Sequence, residues 1–320
     1  MPEALGRALS FTAVGTVAVL AVLLALAGDA PSAAALPRAG QAPAQQAEYV
    51  GSDLCAECHT DQAGTFLSSV HSGLDWEHTE WPFEIEEGLD IRCEACHGPG
   101  STHVEMAGTQ QPGFRETIIS FAKEAPLDTS GQCLNCHLRM EEQQHFRVSE
   151  HTRVGLSCAD CHNPHQPVSV EYALRAPEPG LCYQCHGDKR GEFALPVRHP
   201  VNEGFMSCSD CHSPHGSPNR VQLRRVGNDT CADCHVEKEG PFVFPHVAAE
   251  AEGCATCHSP HGSVTPHLLV KADIALVCYQ CHQAPFGLAP PSFHREDSRG
   301  VCTECHHQIH GSNLDPKFMR

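Results

Sequence analysis

Residues 208–216 read CSDCHSPHG. Cys208, Cys211 and His212 form a C-x-x-C-H word, and a second histidine, His215, follows across one Ser-Pro step. The phrase returns as CATCHSPHG at 254–262 and nearly so as CADCHNPH at 158–165. C-x-x-C-H is the attachment signal for c-type haem. Two thiols add across the two vinyl edges of one porphyrin while the adjacent imidazole reaches the iron. Positions i, i+3 and i+4 share one face of a helical turn, so the three groups point at the same macrocycle.

All 20 cysteines of the 320-residue chain fall in such words. They are Cys55, Cys58 and His59; Cys93, Cys96 and His97; Cys133, Cys136 and His137; Cys158, Cys161 and His162; Cys182, Cys185 and His186; Cys208, Cys211 and His212; Cys231, Cys234 and His235; Cys254, Cys257 and His258; Cys278, Cys281 and His282; and Cys302, Cys305 and His306. A lone C-x-x-C reads as a zinc knuckle or a redox dithiol. Zinc would need the pairs to combine two by two and gives no reason for a histidine after every one. The chain therefore reads as a decahaem c-type cytochrome with ten covalently bound haem c groups, each carrying an iron. No cysteine is left for a disulfide.

The remaining histidines repeat with the motifs. A histidine lies 11–14 residues after the first motif of each pair, and another lies 3–6 residues after the second. These are His71 and His103, His151 and His165, His199 and His215, His246 and His261, and His294 and His310. They offer one distal ligand for each iron, whereas the chain has only five methionines. His78, His145, His267 and His307 are left over, and the choices between His71 and His78, His145 and His151, and His307 and His310 stay open.

The repeat divides the chain into five dihaem modules: 51–127 with an insert, 128–177, 178–226, 227–273 and 274–320. Residues 55–320 carry ten motifs, fewer than thirty residues each, too few for ten ordinary cores. The expected fold is that of a multihaem cytochrome c, with short α-helices and loops wrapped on a linear array of ten haems and little strand. A stack of such repeats is quasi-one-dimensional. The insert, residues 72–92, carries both tryptophans and reads as a solvated loop or a docking element.

Ahead of the modules, Phe11–Ala27 is apolar but for two threonines, follows Arg7 and precedes the small-residue tract APSAAA. It reads as a cleaved signal peptide over 1–35, with an uncleaved anchor as the alternative. A Pro/Ala/Gln-rich linker, 36–50, comes next and is expected to be disordered. Export suits covalent haem attachment, which takes place outside the cytoplasmic membrane. The formal charge is −18, and Glu3, Arg7 and Asp29 account for −1 of it, leaving −17 beyond residue 35. A surface this acidic repels nucleic acid.

His215 cannot bind the iron that His212 binds, because three residues cannot wrap round a macrocycle clamped by Cys208 and Cys211. It must serve a second haem, whose attachment lies close by: the two Cα atoms are at most about 11 Å apart. Pro214 stiffens the link by fixing φ. Two imidazoles on every iron leave no open coordination site, which a haem enzyme needs, and histidine without methionine keeps potentials low. The chain reads as an electron-transfer protein without a catalytic residue.

The order of motifs, CHGPGSTH (96–103), the CHSPHGS phrases, EKEGPFVFPH (237–246) and CHHQIHGSN (305–313) resemble the periplasmic decahaem cytochromes of the MtrA/DmsE type over about residues 49–320. The resemblance implies a bis-histidine haem wire seated in an outer-membrane β-barrel porin, linking a periplasmic or inner-membrane cytochrome with an extracellular redox partner. Electrons would run outward to metal or dimethyl sulfoxide, or inward from ferrous iron. CHNPHQ (161–166) lacks the glycine of its siblings, and the last module has HHQIH in place of HSPH. The alternatives are a free periplasmic carrier, a multihaem oxidoreductase and an extracellular cytochrome filament.

Overall fold

In a computed structural model of the protein, the residues described are 47–75, 88–121, 125–169, 171–282 and 302–319. They belong to the second of two units, Ala47–Arg320, the first being Met1–Gln46. The signal segment, most of the linker, most of the insert, His78 and His294 lie outside the described residues.

The chain is built of short helices and loops. The helices are α1 (Ser52–Cys58), α2 (Thr60–Phe66), α3 (Glu94–His97), α4 (Ser101–Gly108), α5 (Pro126–His137), α6 (Glu150–Arg153), α7 (Cys158–Cys161), α8 (Gly180–Tyr183), α9 (Gly187–Glu192), α10 (Cys208–Cys211), α11 (Asp229–Ala232), α12 (Val247–Ala251) and α13 (Ile274–Cys278). The longest is α5, at 12 residues with Pro126 in its first turn, where a missing N–H costs nothing. Strand is confined, among the described residues, to an antiparallel pair of two-residue segments, β1 (Phe244–Pro245) and β2 (Gly311–Ser312), and isolated bridges.

Local chemistry sets the motif helices. Asp160 and Asp210 reach back to the backbone N–H of Ser157 and Ser207, each at 2.7 Å, closing a capping box around α7 and around α10. In the fourth module Gly253 and Thr256 stand where that serine and aspartate would be, and the motif holds only a 3₁₀ turn, Cys254–Thr256.

Behind the second motif of modules two to four the chain doubles back. The N–H groups of Arg175, Arg224 and Val270 donate to the carbonyls of Cys161, Cys211 and Cys257 at 3.0, 2.9 and 2.9 Å. At the tip of each return one or two side-chain-bearing residues are left-handed: Ala173 (φ 50°), Val221 and Gln222 (φ 50° and 54°), His267 and Leu268 (φ 59° and 58°) and, in the last module, Phe318 (φ 60°). Such a conformation costs about 1–2 kcal/mol for a residue with a Cβ and persists where the surroundings fix it.

The modules have little core of their own. Among the described residues the buried apolar side chains are Ile91, Leu134, Phe146, Ala173, Phe193, Val201, Leu269 and Val277, no more than three to a module. Units of about 50 residues fold on so little apolar burial only with a prosthetic group, a metal or neighbouring units to pack against. The fold is that of repeated paired C-x-x-C-H modules.

Candidate haem-binding sites

Within each of the first four modules the two motifs are clipped together. A polar side chain just upstream of the first motif accepts an N–H at the start of the second. Cys93 N donates to Ser52 Oγ at 3.1 Å, Cys158 N to Ser130 Oγ at 3.3 Å, Ser209 N to Glu178 Oε2 at 3.1 Å and Cys254 N to Asn228 Oδ1 at 2.9 Å. In the third module Glu178, Cys182 and Cys208 have ligand atoms within 4.8 Å of one another. In the first, buried Glu94 adds a second tie, accepting from the N–H of Val50, Gly51 and Gly100 at 3.0, 2.8 and 2.7 Å.

The clip brings the leading thiols of each such module together. Contact with Cys93, Cys158, Cys208 and Cys254 is the foremost cause raising the thiol pKa of Cys55, Cys133, Cys182 and Cys231. Cys278 is raised to about 12 by burial and by Cys302. The trailing thiols feel one another electrostatically across module boundaries. Burial and then neighbouring charge raise Cys96, Cys161, Cys211 and Cys257, their neighbours including Cys136, Cys185, Cys234 and Cys281 of the next module. Taken alternately, these two influences link a cysteine of each motif electrostatically with one of the next, from the first motif to the tenth.

The histidines interlock in the same way. Nine motif histidines each face one histidine from outside the motifs at ring-centroid separations of 5.9–6.3 Å. His59 faces His103 inside the first module. Every other such pair joins neighbouring modules: His137 with His71, His97 with His165, His186 with His151, His162 with His215, His235 with His199, His212 with His261, His282 with His246, and His258 with His310. His215 thus meets the motif histidine of the preceding module. His145, His267 and His307 are exposed and show no such pairing. His294 lies outside the described residues.

A separation near 6 Å also suits an ordinary edge-on aromatic pair. What decides between the two is one-to-one matching at a single spacing. An imidazole nitrogen lies about 1 Å nearer than its centroid, so an ion between two rings has about 2 Å on each side, the length of a metal–imidazole bond. The residues therefore fit a haem iron held between two histidines.

Hydrogen bonds at the far nitrogen fit the same role. Nδ1 of His97, His162, His212, His258 and His306 lies 2.8, 2.7, 2.9, 2.7 and 2.6 Å from the carbonyls of Ile119, Tyr172, Val221, His267 and Lys317. The last four acceptors sit at these strained tips, Tyr172 and Lys317 just before a left-handed residue and Val221 and His267 as the first of a left-handed pair, so the tip aims a carbonyl at the ring. His151 and His199 bond the carbonyls of Pro214 and Pro260 at 2.8 and 2.6 Å, and His246 bonds that of Ile309. Each of these three acceptors immediately precedes a distal histidine of the next module. A donor at Nδ1 leaves Nε2 as the ligating lone pair. Burial lowers the pKa of both rings in His71–His137 and His97–His165, and of His212, His215, His246 and His310, which favours the neutral, ligating form.

The glycine that follows the distal histidine, in PHG of the third and fourth modules and IHG of the fifth, gains a reason. A Cβ on Gly216 would lie 2.8 Å from His145 O and Ser149 Cβ, one on Gly262 would run into Glu192 O, and one on Gly311 would run into the Phe242 ring. In each case the obstacle belongs to the preceding module. Gln166 stands at the equivalent place in the second module and is exposed.

Comparison with known proteins finds the doubled motif in a different phase, each match joining the second motif of one module to the first of the next. The family model of the doubled CXXCH motif matches residues 151–191, 199–240 and 246–286. Each match encloses one complete histidine pair: His151–His186, His199–His235 and His246–His282. The multiheme cytochrome MtrA of Shewanella baltica (strain OS185) is 32% identical over 203 residues, covering 61% of this chain and 56% of that protein. The chain thus matches little more than half the length of this relative. An undecaheme cytochrome from the S-layer of Carboxydothermus ferrireducens is 19% identical, covering 73% of this chain and 33% of the other, with a TM-score of 0.12, too low to compare the folds.

Proposed function

We propose that the chain is a multihaem c-type cytochrome of the MtrA type, to which it is similar, and that it is a decahaem wire relaying electrons between periplasm and cell exterior through an outer-membrane porin complex. The observation that carries this reading is the set of nine one-to-one histidine pairs at 5.9–6.3 Å, eight of which join neighbouring modules.

Each bound haem supplies a one-electron iron couple. The rest is work for the chain's own residues. The twenty cysteines hold the macrocycles by covalent bonds. The nine observed pairs, with His306 and His294 as the tenth, would hold the irons and so keep water and substrate away from the metal. Backbone carbonyls at Nδ1 fix the tautomer and ring orientation of the ligands. Exchange of histidines between modules keeps neighbouring sites at a set spacing, which matters because tunnelling falls steeply with distance.

The implied partners are a β-barrel porin, an extracellular redox protein and a periplasmic or inner-membrane cytochrome, with the N-terminal segment directing export as a cleaved signal peptide. No helix among the described residues is long and apolar enough to cross a membrane. Solubilised outer membranes from the native host test this reading. Co-elution of the haem protein with a β-barrel, and reduction of an external acceptor by vesicles holding that complex, are expected. Recovery only as a soluble periplasmic species would replace the wire with a free carrier.

A further inference from the structure

Of the Nδ1 acceptors named above, all are uncharged. His261 is different: its Nδ1 lies 2.8 Å from Oε2 of Glu192. Glu192 ends helix α9, and its other oxygen accepts from Lys189 Nζ at 2.7 Å. Lys189 also lies 3.1 Å from Asp188. The contact is built into the fold. Gly262 lets the His261 loop press on the Glu192 backbone, and the buried Phe193 ring lies 5.1 Å from the His261 ring. Opposite His261, at 6.1 Å, stands His212, whose own Nδ1 faces the Val221 carbonyl.

A carboxylate at Nδ1 draws the ring proton toward itself and makes Nε2 a stronger donor. It also places a negative charge one ring away from the metal. Both effects favour ferric over ferrous iron, and hydrogen bonding around the axial ligands is one of the levers a protein has on haem potential. Lys189 opposes the effect by neutralising part of the charge, and solvent screens some of it, since Glu192 is 36% exposed.

We propose that Glu192 is a positioning residue that lowers the reduction potential of the site between His212 and His261, with Lys189 setting how far. The inference rests on that histidine pair being an axial pair. This site belongs to the sixth of ten motifs, so a potential step there divides the wire near its middle. An electron crossing the molecule must climb onto this station whichever way it travels.

The test uses the full-length, haem-loaded protein and spectroscopic redox titration. In Glu192→Gln, which keeps the shape and removes the charge, about one-tenth of the haem absorbance should move to higher potential. In Lys189→Met the same fraction should move to lower potential, the rest of the curve holding still in both. His261→Ala serves as the separate check on ligation and should turn about one-tenth of the iron high-spin. If His261→Ala stays wholly low-spin, the pairing is wrong, and the inference falls with it. If that variant behaves as expected but Glu192→Gln titrates like the parent, or both charge variants move the same way, Glu192 does not set the potential.

Discussion

His215 lies three residues beyond a motif histidine and faces the motif histidine of the module before it, His162, at 5.9 Å. A ligand displaced in this way is replaceable only by losing one iron's sixth bond. Substituting His215 by Ala should therefore turn about one-tenth of the haem iron high-spin by electron paramagnetic resonance, while substituting His145, His267 or His307 should leave the spectrum unchanged. The candidate ligands were legible in the sequence because iron accepts few side chains and the motifs fix the register. Which iron each histidine serves was not readable, since that depends on how modules dock. Glu192 carried no signal, because glutamates at helix ends are ordinary and only the docked loop gives this one its partner. The PHG glycines act at the same scale. Adding one methyl at Gly262 forces apart two backbones and should cost about 1–3 kcal/mol, seen as a lower melting temperature of the haem-loaded protein.

Among the elements, the clip between paired motifs is the recurrent device. Its acceptor is Ser52, Ser130, Glu178 or Asn228 in successive modules. A position filled by three residue types shows no motif, which is why it escaped the sequence reading, whereas the short helices and scarce strand followed directly from Pro, Gly and the motif spacing. Ser130 is buried, so changing it to Ala leaves the Cys158 N–H short of a partner. A loss of about 1–3 kcal/mol is expected, measurable by thermal melting with the haem content unchanged. Restoring an acceptor with Asn, the residue used in the fourth module, should recover part of that loss.

For the molecule as a whole, the histidine pairs make the modules interdependent. A chain ended after residue 226 keeps six motifs but loses His261, the partner of His212. One of its six irons should be high-spin, whereas self-contained modules would leave all six low-spin. The sequence indicated five repeats; the pairs show that an internal repeat supplies ligands to both neighbours and takes ligands from both. Low-temperature electron paramagnetic resonance of the oxidised, full-length protein, integrated against total haem, tests the central claim most directly. Ten low-spin irons with signals of paired histidines are predicted. A high-spin signal from about one-tenth of the haem or more would contradict it, leaving an iron open to substrate.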